Sequence, residues 1–200
     1  MIDQLWVATT NSGKLAEFRA LLDGYGVGVH SPAELAVYSS PPETGDSFLA
    51  NARIKAKALR ALKADQWVIG EDSGLEVDGL GGLPGIHSAR YAGDKASDPE
   101  NVAKLLKMLK IRSPQNRRAR FRALLVALSP QGEEFVFEGL LEGQISEVPK
   151  GQKGFGYDPV FIPEGEDKTL AELPPAFKNK VSHRAQALRQ WAREQKIIPE

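Results

Sequence analysis

Trp67-Val68-Ile69-Gly70 running into Glu71-Asp72-Ser73-Gly74 constrains this chain more than any other stretch. A short apolar run bounded by a turn signal reads as a buried strand, and Asp72-Ser73-Gly74 reads as the sharp turn that ends it. Glu71 and Asp72 are thereby expected at the carboxyl end of a strand, where open α/β sheets bind their ligands. Two adjacent carboxylates there suit a hard cation. The alternative is a plain turn in which Asp72 and Ser73 only satisfy nearby backbone groups.

Composition narrows the function classes. The chain has 200 residues, 42% of them hydrophobic, enough for a real core in a single domain spanning 1–200. Its 26 basic and 26 acidic residues cancel, so no bulk attraction to nucleic acid or to a membrane surface is expected, and any anion site must be local. Cysteine is absent, which excludes disulfides, thiolate nucleophiles and cysteine-ligated zinc. No stretch approaches about 18 uninterrupted apolar residues and the amino terminus lacks a signal pattern, so a soluble, cytoplasmic protein is expected.

Along the chain, Leu5 to Thr9 reads as a strand leading through Thr10-Asn11-Ser12-Gly13-Lys14 into a helix with Leu15, Phe18, Leu21 and Leu22 on one stripe. Unpaired amides at a helix start, hydroxyls from Thr9, Thr10 and Ser12, the Asn11 amide and the Lys14 ammonium would suit a polyphosphate. A simple helix cap by Asn11 or Ser12 is the competing explanation. A second helix starts at Asp46 or Ser47 and sets Asn51 and Lys55 one turn apart on a shared face. The glycine-rich run Gly79 to Gly85 neither follows a strand nor opens a helix in the dinucleotide-binding manner. Asp98-Pro99-Glu100 predicts a helix capped by Asp98 and running to about Lys110. Alternation at Arg120, Phe121 and Arg122 predicts a strand with one wet face rather than a nucleic-acid patch, and Pro130-Gln131-Gly132 turns it into a hairpin with the strand beginning at Phe135.

In the last third, Gly154-Phe155-Gly156-Tyr157-Asp158-Pro159 sets an aromatic ring between two glycines, little shielded and available to stack on a base, with Asp158 placed to accept a hydrogen bond from a ring N–H. Ser182-His183-Arg184 opens a closing helix carried by Ala185, Leu188 and Trp191. Taken singly, Phe155 is explained as core and His183 as a first-turn surface residue.

Five blocks stand together in order and spacing. They are Thr9-x-Asn11-x-x-Lys14-x-x-Glu17, Asp72-Ser73-Gly74-Leu75, Gly82-x-Pro84-Gly85-x-x-Ser88-Ala89-Arg90-Tyr91, the Gly154 to Pro159 run, and Ser182-His183-Arg184. In these the chain resembles the non-standard purine nucleoside triphosphate pyrophosphatases, from Leu5 to Trp191. The resemblance implies hydrolysis of ITP, dITP and XTP to the monophosphate and pyrophosphate with Mg²⁺. It also implies an elongated mixed α/β sheet flanked by helices, two lobes with a central substrate cleft, and a homodimer. By this likeness Thr9, Thr10, Asn11 and Lys14 would hold the phosphates, Lys55 and Ser73 would bind substrate, Glu71 and Asp72 would hold the metal, and Asp72 would prepare the attacking water, with Lys14 offsetting leaving-group charge. Phe155 would stack on the purine, Gly156 and Tyr157 would bind substrate, and Asp158, Lys178, His183 and Arg184 would read a 6-keto purine edge against adenine.

One position departs from the pattern. Where the resemblance calls for a glutamate in a Phe-x-Glu-Asn-Ala block, this chain has Phe48-Leu49-Ala50-Asn51-Ala52. Either Glu71 and Asp72 suffice, or turnover falls by about a hundredfold, as when an electrostatic contact to the transition state is lost. A non-catalytic purine nucleotide-binding protein and a modified-pyrimidine triphosphate pyrophosphatase are the alternatives.

Overall fold

The computed structural model describes residues 2–199 and contains one mixed six-stranded sheet in the order β2-β1-β3-β4-β5-β6. The strands are β1 (Gln4–Val7), β2 (Gly28–His30), β3 (Trp67–Val77), β4 (Arg118–Leu128), β5 (Glu134–Ile145) and β6 (Phe161–Pro163). Five α-helices accompany them among the described residues: α1 (Ser12–Leu22), α2 (Phe48–Arg60), α3 (Asp98–Arg112), α4 (Pro175–Val181) and α5 (His183–Glu194). Strand β1 runs parallel to both β2 and β3, pairing Leu5 with Trp67 and Val7 with Ile69, whereas β5 and β6 are antiparallel. At opposite ends of the β4–β5 pair, Ser129 N donates to Glu133 O and Ile145 N to Arg117 O, each at 2.9 Å, which makes that hairpin antiparallel. No helix among the described residues is long and apolar enough to cross a membrane.

Two expectations are corrected. Asp72-Ser73-Gly74 does not end the strand: β3 continues through it to Val77. The turn signal is overridden because Gly74, Leu75 and Val77 are buried in an extended ladder, and tertiary pairing outweighs local turn preference. The cap of α3 is Ser97 rather than Asp98; Glu100 accepts from the Ser97 amide and hydroxyl at 2.8 and 2.7 Å, and Asp98 occupies the first helical position.

The described residues divide into two compact units, one made of residues 2–72, 123–139 and 184–199, the other of 73–122 and 140–183. In the first, the period of two along the strands sorts side chains cleanly. Leu5, Val7 and Ile69 face Phe18 and Leu22 of α1 and Leu188 and Trp191 of α5, while Trp6, Ala8 and Val68 meet Leu59 of α2. Gly70 shares the α2 face, and a β-carbon there would lie 2.1 Å from Ala52 O and 2.5 Å from Ala56 N. The bare backbone of Gly70 lets α2 lie directly on β3.

In the second unit, Val102, Leu105 and Leu109 of α3 cover Leu75, Val77, Ala119, Phe121, Leu141 and Ile145. The alternate positions form the wet face anticipated for β4. Arg120 contacts Glu142 at 3.1 Å and Asp78 at 3.0 Å, and Arg122 reaches Glu76 at 3.7 Å. Gly70→Ala is expected to lower unfolding free energy by about 3 kcal/mol in urea denaturation, because the β-carbon must push α2 backbone aside.

Candidate active site

The first unit gathers most of the charged residues singled out from sequence. Its phosphate-loop candidate follows β1: Asn11 caps α1, its Oδ1 accepting from Lys14 N at 2.9 Å, while Asn11 N donates to Thr9 Oγ1 at 3.2 Å. Thr10 and Asn11 are exposed. The cap and the ligand loop are therefore compatible, since Asn11 uses its side chain on the helix and leaves the loop open to solvent.

Because Glu71 and Asp72 lie within a strand, their side chains point to opposite faces of the sheet. They do not present side by side to one cation, as a turn would have allowed. Glu71 turns to the α1–α5 face, where its Oε2 accepts from Lys14 Nζ at 2.7 Å and its Oε1 from Arg184 Nε and Nη2 at 3.2 and 3.1 Å. Arg184 also donates to Glu17 Oε2. Arg184 is only 2% exposed, so its guanidinium is engaged by two carboxylates rather than offered to a base edge. Glu71 is correspondingly committed to two cations, which disfavours it as a metal ligand.

Asp72 turns to the α2 face. Its Oδ1 accepts from Lys55 Nζ at 2.7 Å and its Oδ2 from Asn51 Nδ2 at 3.3 Å. The shared face of Asn51 and Lys55 thus converges on Asp72, two residues beyond the Gly70 contact that seats the helix. Lys55 Nζ also meets Glu43 at 2.6 Å, so one ammonium bridges two carboxylates. Glu43 escaped sequence analysis because it sits in an irregular Pro-Pro-Glu-Thr-Gly segment with no periodicity to orient it. Asp72 and Glu43 therefore share one ammonium on one side of the sheet, and no cluster of three or more acidic or histidine side chains suited to a metal ion occurs among the described residues. Ala50 lies in the first turn of α2, with its amide donating to Ser47 Oγ.

Burial lowers the pKa of Lys14, against the opposing pull of Glu71. Burial raises that of Asp72, partly countered by Lys55. For Lys55 burial acts downward, but Asp72 and Glu43 outweigh it and the net direction is upward.

In the second unit the Gly154–Asp158 loop is tightly specified. Gly154 (φ +77°) and Gly156 (φ +62°) are left-handed, and a β-carbon on Gly154 would strike Asp158 Oδ2 at 2.0 Å. That oxygen accepts from Phe155 N at 2.9 Å and from Lys178 Nζ at 2.5 Å. Lys178 Nζ in turn stands 4.3 Å from the Phe155 ring centroid, so the ring carries a cation on one face. Asp158 is 1% exposed, placing its carboxylate inside the loop as its tie. Tyr157 OH donates to Ser88 O at 2.8 Å, and the Ser88 hydroxyl links Leu75 N to Gly85 O. Burial pushes the Tyr157 hydroxyl pKa up. His183 is buried and stacks on Phe121 with centroids 4.9 Å apart. Ser73 and His183 belong to this unit although their neighbours Asp72 and Arg184 belong to the other.

The chain matches the model of the Ham1 family over residues 5–194. It is 56% identical over 187 residues to a dITP/XTP pyrophosphatase of Bdellovibrio bacteriovorus, covering 93% of this chain and 94% of that one. It is 46% identical to the dITP/XTP pyrophosphatase of Bacillus subtilis, covering 94% of each. Among solved structures, a HAM1 protein from Coxiella burnetii superposes with a TM-score of 0.85 at 35% identity, over 99% of this chain and 100% of that one.

The raised Asp72 pKa has a consequence for stability. Folded protein keeps this proton at pH values where the unfolded chain has released it, so the group's contribution is full below its ordinary value of 3.8 and fades as pH rises through the folded value. Asp72→Asn is expected to unfold at higher urea than the parent at pH 7, with the gap narrowing as pH is lowered toward 4.

Proposed function

The chain belongs to the Ham1 family, and from that premise we propose that it is a nucleoside triphosphate pyrophosphohydrolase acting on ITP, dITP and XTP. It releases the monophosphate and pyrophosphate and so cleanses the nucleotide pool, as a Mg²⁺-dependent, cytoplasmic homodimer. The observation that carries this reading is Asp72, a buried carboxylate ringed by Lys55, Asn51 and Glu43 on a strand that also aims Glu71 at Lys14. The names of its relatives supply the substrate class.

The geometry of each cluster supports the roles that follow. The loop of Thr9, Thr10 and Asn11 with the start of α1 receives the triphosphate, its hydroxyls and the amides not used in the cap donating to phosphate oxygens. Lys14, oriented by Glu71, sets its positive charge against the pyrophosphate as it leaves. Asp72 accepts a proton from the water whose oxygen attacks the α-phosphorus while the bond to the bridging oxygen breaks. A carboxylate whose pKa is raised by burial is a better base for that step than an exposed one. Mg²⁺ would be held by Asp72 and Glu43, where it would neutralise phosphate charge. Lys55, bridging the same two carboxylates, and Ser73 complete the phosphate contacts.

Phe155, with Gly156 beside it, forms the platform for the base, and buried Tyr157, tied to Ser88, supports it from within. Lys178 donates to O6 of a 6-keto purine, an acceptor that adenine replaces with a donor, and His183 closes the edge. Asp158 and Arg184 act through others: Asp158 positions Lys178 and Phe155, and Arg184 positions Glu71.

A second reading, a nucleotide-binding protein without turnover, is favoured by Ala50 alone. Measuring pyrophosphate release from ITP, ATP and GTP with and without Mg²⁺ separates the two. Turnover of ITP well above ATP, abolished by chelation, is expected; ITP binding with no release would overturn the enzyme reading. Glu43→Gln is expected to lower kcat/KM for ITP by about a hundredfold and Ala50→Glu to raise it. Removing the Lys55 charge by Lys55→Met raises the Asp72 pKa further, so the acid limb of the kcat/KM profile should move to higher pH.

A further inference from the structure

Two left-handed glycines flank Phe155, so the backbone on either side of the ring has little intrinsic preference for the pose it adopts. That pose is set by what holds the amides. Phe155 N is held from within the loop by Asp158, and Tyr157 is held through its hydroxyl by Ser88 O. Gly156 N, immediately after the ring-bearing residue, donates to Asp98 Oδ2 at 2.6 Å. Asp98 reaches it from the first turn of α3, 58 residues away in sequence. The bond joins a formal charge to a backbone N–H, the stronger class of hydrogen bond.

Asp98 differs from the other two anchors in a way that separates position from folding. Asp158 and Tyr157 are buried at 1% and 4% exposure and belong to the packed interior, whereas Asp98 is exposed. Nor does it cap α3, because Ser97 and Glu100 perform that task. Its carboxylate is therefore spent on the loop.

We infer that Asp98 is a positioning residue for the nucleobase: by holding Gly156 N it fixes the orientation of the Phe155 ring, so that its loss weakens binding of the base and leaves binding of the phosphate tail unchanged. This rests on the proposal that Phe155 receives the base. Asp98→Asn retains an acceptor oxygen in the same place, while Asp98→Ala removes it.

Calorimetric titration of the full chain with IMP and, separately, with inorganic pyrophosphate tests the inference, alongside ITP kinetics. Asp98→Ala is expected to weaken IMP binding about tenfold, as for loss of one charge-assisted hydrogen bond. The same variant should raise KM for ITP with kcat nearly unchanged and keep pyrophosphate binding within about twofold; Asp98→Asn should recover most of the IMP affinity. IMP affinity unaffected by Asp98→Ala, or IMP and pyrophosphate weakened together, would overturn it. Wild-type protein that binds IMP but does not hydrolyse ITP would overturn the enzymatic assignment alone, leaving the role of Asp98 to be judged by the binding arms.

Discussion

The alternation of side chains along β3 governs the charged half of the molecule. Adjacent residues in a strand cannot share a face, so Glu71 and Asp72 are parted by the sheet itself and acquire different partners: Lys14 and Arg184 for one, Asn51, Lys55 and the neighbouring Glu43 for the other. A turn at this point would have given two equivalent acids. The strand gives two acids with distinct work, one spent on orienting cations and one left in a buried polar pocket with its pKa raised. Gly70 makes the second arrangement possible, because only a residue without a β-carbon lets α2 descend far enough for Asn51 and Lys55 to reach Asp72.

Burying such clusters is costly. Removing ions from water costs several kcal/mol each, and an ion pair offsets that only where geometry and further hydrogen bonds are good. The chain Lys14–Glu71–Arg184–Glu17 meets this condition by alternating sign at every contact. It joins α1, β3 and the first turn of α5, so the helix start that presents the Thr9–Asn11 loop is held by charge as well as by Phe18 and Leu22. Around Asp72 the balance is less favourable, with burial outweighing Lys55. Buried charge kept at a cost, in contact with Lys55 and within the longer-range field of Lys14, suits phosphate chemistry.

The second unit solves a different problem, the presentation of an aromatic ring on a loop. Close approach of Asp158 to Gly154, the Lys178 contact to the same carboxylate, and the Tyr157–Ser88 bond turn a glycine-flanked segment into a defined shape. Beneath it, the stacked pair Phe121–His183 and the tilted pair Phe121–Phe161 extend from the core formed with α3. Tyr157 joins the two, tied through its hydroxyl to Ser88 and packed in the same core as Phe121 and Phe161.

Much was legible before any coordinates. Apolar periodicity announced α1, α2, α3 and α5, the wet face of β4 and the hairpin after it, because burial of one face leaves a repeat that can be read locally. The motif blocks likewise carried the family, since their order and spacing are properties of the chain alone. Tertiary structure decided the rest. Whether Asp72-Ser73-Gly74 turns or extends depended on neighbouring strands that no local window contains, and that choice separated Glu71 from Asp72. Arg184 and Glu71 lie 113 positions apart, and Glu43 stands in a segment without periodicity, so their partners emerged only when folding brought distant charges into one low-dielectric setting. Sequence determined which chemical groups this protein possesses; packing determined which of them face one another, because a side chain's direction is set by the backbone it rides on and its charge state by what that backbone brings near.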